Sequence, residues 1–204
     1  MFLFLDVISP LPEFFVIEDN KVVFNKKIIK SESNKISDNI FQVYYEINNE
    51  LNLSKYLKKT AITIGPGSYT SLRVGAAFIS GLNISKEIQF CPISILDIFN
   101  FKSTIINTED TAIFISSSSN QDFICTMNKD QNVEYKKYED DFYDLPNNIN
   151  TILYNYKKLD YEKDILQQHK FSFINEILEN QSKLDFKKEN MVKPIYISNN
   201  KILN

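Results

Sequence analysis

Two places in this chain carry residues arranged for chemistry: Asp6, near the start, and the turn Gly65-Pro66-Gly67-Ser68. Asp6 closes an apolar run that reads as a buried strand, and a carboxylate so placed can hold the magnesium ion of a phosphoryl-transfer site. One carboxylate is too few for that work. Val7-Ile8-Ser9-Pro10 also crowds the place where a glycine hairpin would wrap a phosphate. The better structural expectation is an Asp6 held by backbone N–H groups or by Arg73. The turn at 65–68 follows a strand and precedes a helix. Its glycines permit positive φ and close backbone approach, and Pro66 narrows the turn. Ser68 or Thr70 can cap the helix. Such a turn receives a phosphate or carboxylate, or serves only as a compact corner. The spacing matches neither the Walker turn nor the dinucleotide fingerprint. Asp6, Gly65, Gly67 and Ser68 are therefore the candidate cofactor contacts.

No catalytic or metal-ligating set joins them. His169 is the single histidine and sits in a polar setting, and Cys91 and Cys125 are not a close-spaced ligand pair. Cys91 lies in the apolar run Ile88-Gln89-Phe90-Cys91 and reads as a buried small hydrophobe. No nucleophile-elbow pattern surrounds a serine, and residues 116–119 read as ordinary turn serines.

The elements that must position these residues are written in the composition. The chain has 204 residues, 43% of them hydrophobic, with 16 Phe and 11 Tyr, which is material for one large domain or two small lobes. Net charge is -3, so the surface as a whole attracts neither nucleic acid nor an anionic membrane. Lys183, Lys187, Lys188 and Lys193 gather near the C-terminus among acidic residues and read as solvated surface. Two cysteines do not make a secreted disulfide framework, and no apolar run is long enough to span a bilayer. A soluble cytoplasmic protein is expected. Lysine, asparagine and isoleucine are abundant, so the scarce residues carry more information. All four glycines (65, 67, 75 and 81) and the one arginine, Arg73, fall within residues 62–81.

Periodicity predicts three N-terminal strands at 2–7, 14–17 and 21–24 and a helix over 37–51. Ile36, Ile40, Val43, Ile47 and Leu51 form one face of that helix. Phe41, Tyr44 and Tyr45 form a second apolar flank, which either meets another protein or is covered by the chain itself. A strand at 61–64, a helix over 70–83, a strand at 88–91 and a helix from Ser94 follow, the last opened by a Ser94/Asp97 capping box. Strands are expected at 111–115, 123–127, 133–138, 151–154 and 192–197, with a short helix over 171–178. The acidic run of Glu139, Asp140, Asp141 and Asp144 reads as a solvated connection, and no internal repeat is visible.

The helix after the turn is small-sided at Gly75, Ala76, Ala77, Ser80 and Gly81. Each interior glycine costs about 1 kcal/mol relative to alanine, so close approach of a neighbour is expected to offset it. Arg73 lies near the positive end of the helix dipole. An anionic group is expected beside it, either Asp6 or a carboxylate on a binding protein.

Residues 64–75, Ile64-Gly65-Pro66-Gly67-Ser68-Tyr69-Thr70-Ser71-Leu72-Arg73-Val74-Gly75, resemble the signature of the TsaB family, the smaller actin-like partner in bacterial tRNA threonylcarbamoyladenosine synthesis. The family has Phe or Tyr at the place of Tyr69 and Gly at that of Ser71. The similarity continues through residues 76–82 and into Pro92-Ile93-Ser94-Ile95-Leu96-Asp97. Pro194-Ile195-Tyr196-Ile197 resembles the terminal motif, with Ser198 where the family has arginine. The chain departs from the family at Asp6-Val7-Ile8, in place of Asp-Thr-Ser. It departs again around Ser31-Glu32-Ser33-Asn34, where the family has a His-Ser-Glu element. The resemblance is strongest over 60–100, extends over the first 60 residues and thins between 102 and 190.

The resemblance implies an α/β fold of the actin-like, ribonuclease H-like kind, a mixed sheet with flanking helices. It implies two lobes, 1–101 and a reduced, divergent 102–204. It also implies a noncatalytic subunit that binds TsaD, the subunit transferring threonylcarbamoyl to the adenosine next to the anticodon. A TsaE-like ATPase joins the complex, and ATP and magnesium are handled by partner subunits, with no intrinsic cofactor. The chain would meet tRNA through the complex and pair with itself when alone. The implied interface uses Ile40, Val43, Tyr44 and Ile47 of the first long helix and Arg73, Ala77, Phe78 and Gly81 of the signature helix. Two alternatives stay open. One is a magnesium- and nucleotide-dependent phosphotransferase or hydrolase built on Asp6 and the turn. The other is a self-associating structural protein.

Overall fold

The computed structural model describes residues 1–29, 35–119, 121–139, 145–160, 166–188, 191–198 and 201–203. The altered element at 31–34 and most of the acidic run lie outside them. The apolar start of the chain forms β1 (Phe2–Asp6), which is buried at every residue and so is covered on both faces. It pairs antiparallel with β2 (Glu13–Glu18), which pairs in turn with β3 (Lys21–Lys27). Asp19 and Asn20 both take positive φ in the turn between them, as short polar side chains tolerate. On its other edge β1 runs parallel to β4 (Lys59–Thr63), and β4 parallel to β5 (Gln89–Ile93), in the order β3-β2-β1-β4-β5.

Helix α1 (Ile36–Leu51) turns Ile36, Ile40, Val43 and Ile47 into the core, as the 3.6-residue stripe requires. It ends at Asn52 in the left-handed conformation, and a single turn, α2 (Leu53–Tyr56), leads into β4. Helix α3 (Tyr69–Lys86) connects β4 to β5. Helix α4 (Ile95–Lys102) opens on the expected capping box, in which Ser94 Oγ accepts from Asp97 N and Asp97 accepts from Ser94 N at 2.7 Å.

Beyond residue 110 the topology recurs. β6 (Thr111–Ile115), β7 (Phe123–Met127) and β8 (Val133–Lys137) form an antiparallel meander. β9 (Thr151–Tyr154) and β10 (Gln167–Lys170) add in parallel, so the order β8-β7-β6-β9-β10 repeats that of the first sheet. Two mixed sheets with flanking helices and a reduced second lobe make this an actin-like, ribonuclease H-like fold. The repeat is one of topology, carried by sequences too different to reveal it.

Helix α5 (Phe173–Glu179) returns to the first lobe and touches β1 and α4. Lys102 and the buried Glu176 form an ion pair of 2.8 Å between α4 and α5. One apolar core runs from Leu3 and Phe4 through Phe99 to Phe123, Phe173 and Ile177, so the lobes share their interior. A smaller cluster, including Phe114 and Ile152, lies on the second lobe alone.

The expected strand at 192–197 is corrected. Pairing begins only at β11 (Tyr196–Ser198), which meets β12 (Lys201–Leu203) antiparallel. Val192 is buried, and its amide donates to Ser80 Oγ at 3.0 Å; Ile195 N donates to Ile64 O at 2.7 Å. Residues 192–195 thus pack along the flank of α3 and the loop before it, and only Tyr196 and Ile197 of the expected strand join a ladder.

Candidate functional site

Asp6 is buried beneath its own turn. Its Oδ1 accepts from Ile8 N at 3.0 Å, Ser9 N at 3.2 Å and Thr63 Oγ1 at 3.2 Å, and its Oδ2 accepts from Ser9 Oγ at 2.6 Å. Thr63 Oγ1 also accepts from Val7 N, so β1, β4 and the turn close on one carboxylate. Burial raises the Asp6 pKa, and the hydrogen bonds from Ser9, Ile8 and Thr63 draw it partly back. Of the two holders expected from sequence, the backbone N–H groups are present. Arg73 is not one of them: it lies exposed on α3, whereas Asp6 is buried and takes its hydrogen bonds from Ile8, Ser9 and Thr63.

The glycine turn is filled by the chain itself. Gly65 has φ +125°, and a Cβ there would stand 2.5 Å from Ile195 O. That is the place where glycine is required. The space beside Gly67 is taken by Ile8, whose side chain would lie 3.4 Å from an added Cβ. Ser68 caps α3, its Oγ accepting from Ser71 N at 3.4 Å, while Ser68 O accepts from Leu72 N at 2.9 Å. Ser71 Oγ in turn lies 2.9 Å from Ser118 Oγ, joining α3 to the hairpin between β6 and β7. In that hairpin the Asn155 amide clamps Ser116 N and O, at 2.8 and 3.0 Å. The corner reading of the turn thus has a physical basis in Ile8, Ile195 and the Ser71–Ser118 contact.

The two helix glycines have opposite surroundings. A Cβ on Gly75 would meet Val7 Cγ1 at 2.6 Å and Ile62 Cδ1 at 3.2 Å, so α3 seats directly on the sheet at that point. Gly81 is exposed and has nothing within 4 Å of such an atom. Arg73 and Ala77 are exposed with it, and so is Ile84, at 65%.

The partner-face residues read from sequence divide in the same way. Ile40, Val43, Ile47 and Phe78 are buried in this chain's own core, because the α1 stripe faces the sheet and Phe78 packs between the helices. Phe78 meets Phe14, Phe41 and Tyr44 edge-on at centroid distances of 5.5, 5.5 and 5.2 Å. Tyr44 is half-buried, with a hydroxyl that has no hydrogen-bond partner among the described residues and a pKa raised by burial. What α1 leaves at the surface is Phe41 (70% exposed) and Tyr45 (60%). Sequence reasoning placed both on the second flank but did not include them among the interface residues; their positions beside the buried stripe were the available signal.

Arg73 lies over the Tyr69 ring at 5.3 Å, with Nη1 3.4 Å from the Tyr69 hydroxyl. Tyr69 in turn packs on Tyr196 at 4.8 Å between centroids. Burial, with Asp97 adding, raises the Cys91 thiol to about 11, and burial raises Cys125 as well. His169 is exposed on β10. Among the described residues no three His, Cys, Asp or Glu side chains gather as a metal site, and no helix is long and apolar enough to cross a membrane.

The sequence model of the family described as TsaD, tRNA N6-adenosine threonylcarbamoyltransferase, matches residues 29–192, most of the chain. The chain belongs to the TsaD family. The TsaD-family match begins just before α1 and takes in β4, β5, the turn, α3 and the whole second sheet, but not the β1–β3 meander. No curated protein sequence matches the chain significantly. Among solved structures, an uncharacterized protein from Pseudomonas aeruginosa, described as similar to the peptidase YEAZ, aligns with TM-score 0.62 at 11% identity. That alignment covers 97% of this chain and 99% of that one. YeaZ from Pseudomonas aeruginosa aligns with TM-score 0.49 at 13% identity, over 75% of this chain and 74% of that one. At 11% identity the first likeness speaks for the fold alone, over the whole of both chains.

Proposed function

We propose that this chain is the TsaB-like, noncatalytic partner subunit of its family, binding a TsaD subunit and supporting threonylcarbamoyl transfer to the tRNA adenosine next to the anticodon. The observation that carries the reading is Gly81, an interior helix glycine with open space beside it on the exposed face it shares with Ala77, while Phe41 and Tyr45 stay exposed on α1. Such a glycine costs stability and brings no packing in the isolated chain. A helix from a second protein, laid against the small-sided face, supplies the missing neighbour, and the two helices from each side make a four-helix contact. The crowding of the turn supports the same reading, since Ile195 stands against Gly65 and Ile8 against Gly67. On this proposal ATP, magnesium and the TsaE-like ATPase act through the partner, tRNA is met in the complex, and the chain works in the cytoplasm.

Titration calorimetry of the chain against the TsaD subunit of the same organism tests it. Binding is expected, and its absence with both proteins folded overturns the reading. Gly81→Leu, which fills the open face, is expected to weaken binding by at least about tenfold, as a bulky clash at an interface centre does. Unchanged affinity would remove α3 from the interface. Tight magnesium-dependent ATP binding lost in Asp6→Asn would favour the phosphotransferase alternative.

A further inference from the structure

The open face of α3 has two walls, both made by this chain. On one side Phe78 joins α3 to Phe41 of α1. On the other, Ser80 receives the Val192 amide and Tyr69 packs on Tyr196, so the segment 191–196 runs along the helix. Between the walls lie Ala77 and Gly81, and at the N-terminal end lies Arg73.

Arg73 is in an unusual position. It is an exposed cation in the second turn of α3, four residues after Tyr69. No carboxylate pairs with it among the described residues. Its planar guanidinium is instead held over Tyr69, and Tyr69 is held by Tyr196 from the far end of the chain. Stacking of this kind fixes the fork of donors while leaving most of them unoccupied. An arginine restrained at the rim of a small-floored groove is suited to a planar anion brought by whatever fills the groove.

We infer that Arg73 is the charged anchor of the partner face, that it receives an Asp or Glu carboxylate from the partner's helix, and that Tyr196 is a positioning residue acting through Tyr69. The C-terminal segment is then part of the docking surface, as one of its walls. This inference rests on the proposed binding to TsaD and specifies its chemistry.

The test is calorimetry of the full chain against the TsaD subunit of the same organism, at low and at physiological salt. Arg73→Ala is expected to weaken binding about tenfold and to flatten its salt dependence, the signature of a lost interfacial charge. Arg73→Lys keeps the charge without the planar fork and is expected to recover only part of the loss. Tyr196→Ala is expected to weaken binding several-fold and to reduce the salt dependence, while Tyr196→Phe keeps the ring contact and retains both. Thermal unfolding checks that each variant folds. Should Tyr196→Ala misfold, Arg73→Glu at its exposed site is expected to abolish binding. If the unmodified chain binds and Arg73→Ala binds within about twofold of it at both salts, the anchor is overturned and the wider reading stands. If Tyr196→Ala folds and matches the unmodified chain, the positioning role is overturned. If the unmodified chain does not bind, the wider reading fails and this inference with it.

Discussion

Asp6 sits where a catalytic carboxylate would sit in a phosphoryl-transfer fold, and its surroundings give it another task. Four donor contacts and complete enclosure make it a tie between β1, its turn and β4. Its raised pKa fixes the sign of its effect on stability. A carboxyl whose folded pKa lies above the unfolded value favours folding most below the unfolded pKa, near 3.9, and loses that contribution as pH rises through the folded pKa. Asn at this position cannot ionise yet still accepts from Ile8 N and Ser9 N. Asp6→Asn is therefore expected to fold, to be at least as stable as the unmodified chain near neutral pH, and to flatten the stability–pH curve above about pH 4. Chemical denaturation across pH checks it. A steep loss of stability at neutral pH would mean that the ionised carboxylate is required. The sequence made the choice of backbone donors legible, because Val7-Ile8-Ser9 leaves no room for a phosphate. It could not exclude Arg73 as a holder, since that question depends on whether the arginine faces the core or solvent.

At the scale of the element, α3 holds two glycines that composition alone treats as equivalent. Structure separates them by what an added methyl would meet: Val7 and Ile62 at Gly75, and nothing at Gly81. Gly81→Ala is expected to stabilise the isolated chain by about 1 kcal/mol through helix propensity. Gly75→Ala gains the same propensity but overpacks a buried, β-branched neighbour, at a cost of roughly 1–3 kcal/mol. It is expected to lower the melting temperature by a few degrees. Thermal unfolding of the two variants side by side decides this, and equal shifts would refute the distinction.

Elements were legible where period or cap chemistry was strong, as in the α1 stripe and the Ser94/Asp97 box. β10 was not, since Gln167-Gln168-His169-Lys170 contains no apolar residue and takes its strand form from pairing with β9. Residues 192–195 misled because apolar residues packed along a helix flank alternate much as a strand does.

For the whole molecule, the duplicated topology was invisible in sequence, because recurrence of strand order needs no recurrence of residues. The shared core also means that neither lobe buries its apolar surface alone. The open face on α1 and α3 leaves the chain two ways to cover it, with itself or with a partner. Mass measurement across concentration is expected to show weak self-pairing that gives way fully to a one-to-one complex when TsaD is added. A dimer that persists against excess TsaD would instead support the self-associating alternative.

The wall formed by residues 191–196 also orders events during synthesis. Val192 follows its contact Ser80 by 112 residues. At translation speeds of roughly 5–20 residues per second, the nascent chain carries α3 for about 6–22 seconds before that wall exists. Through that interval the ribosome presents a groove with one side missing and a Tyr69 without its ring partner. Docking that uses both walls therefore begins only after residues 191–196 have been made, and a chain that stops just before residue 191 lacks one wall of the groove.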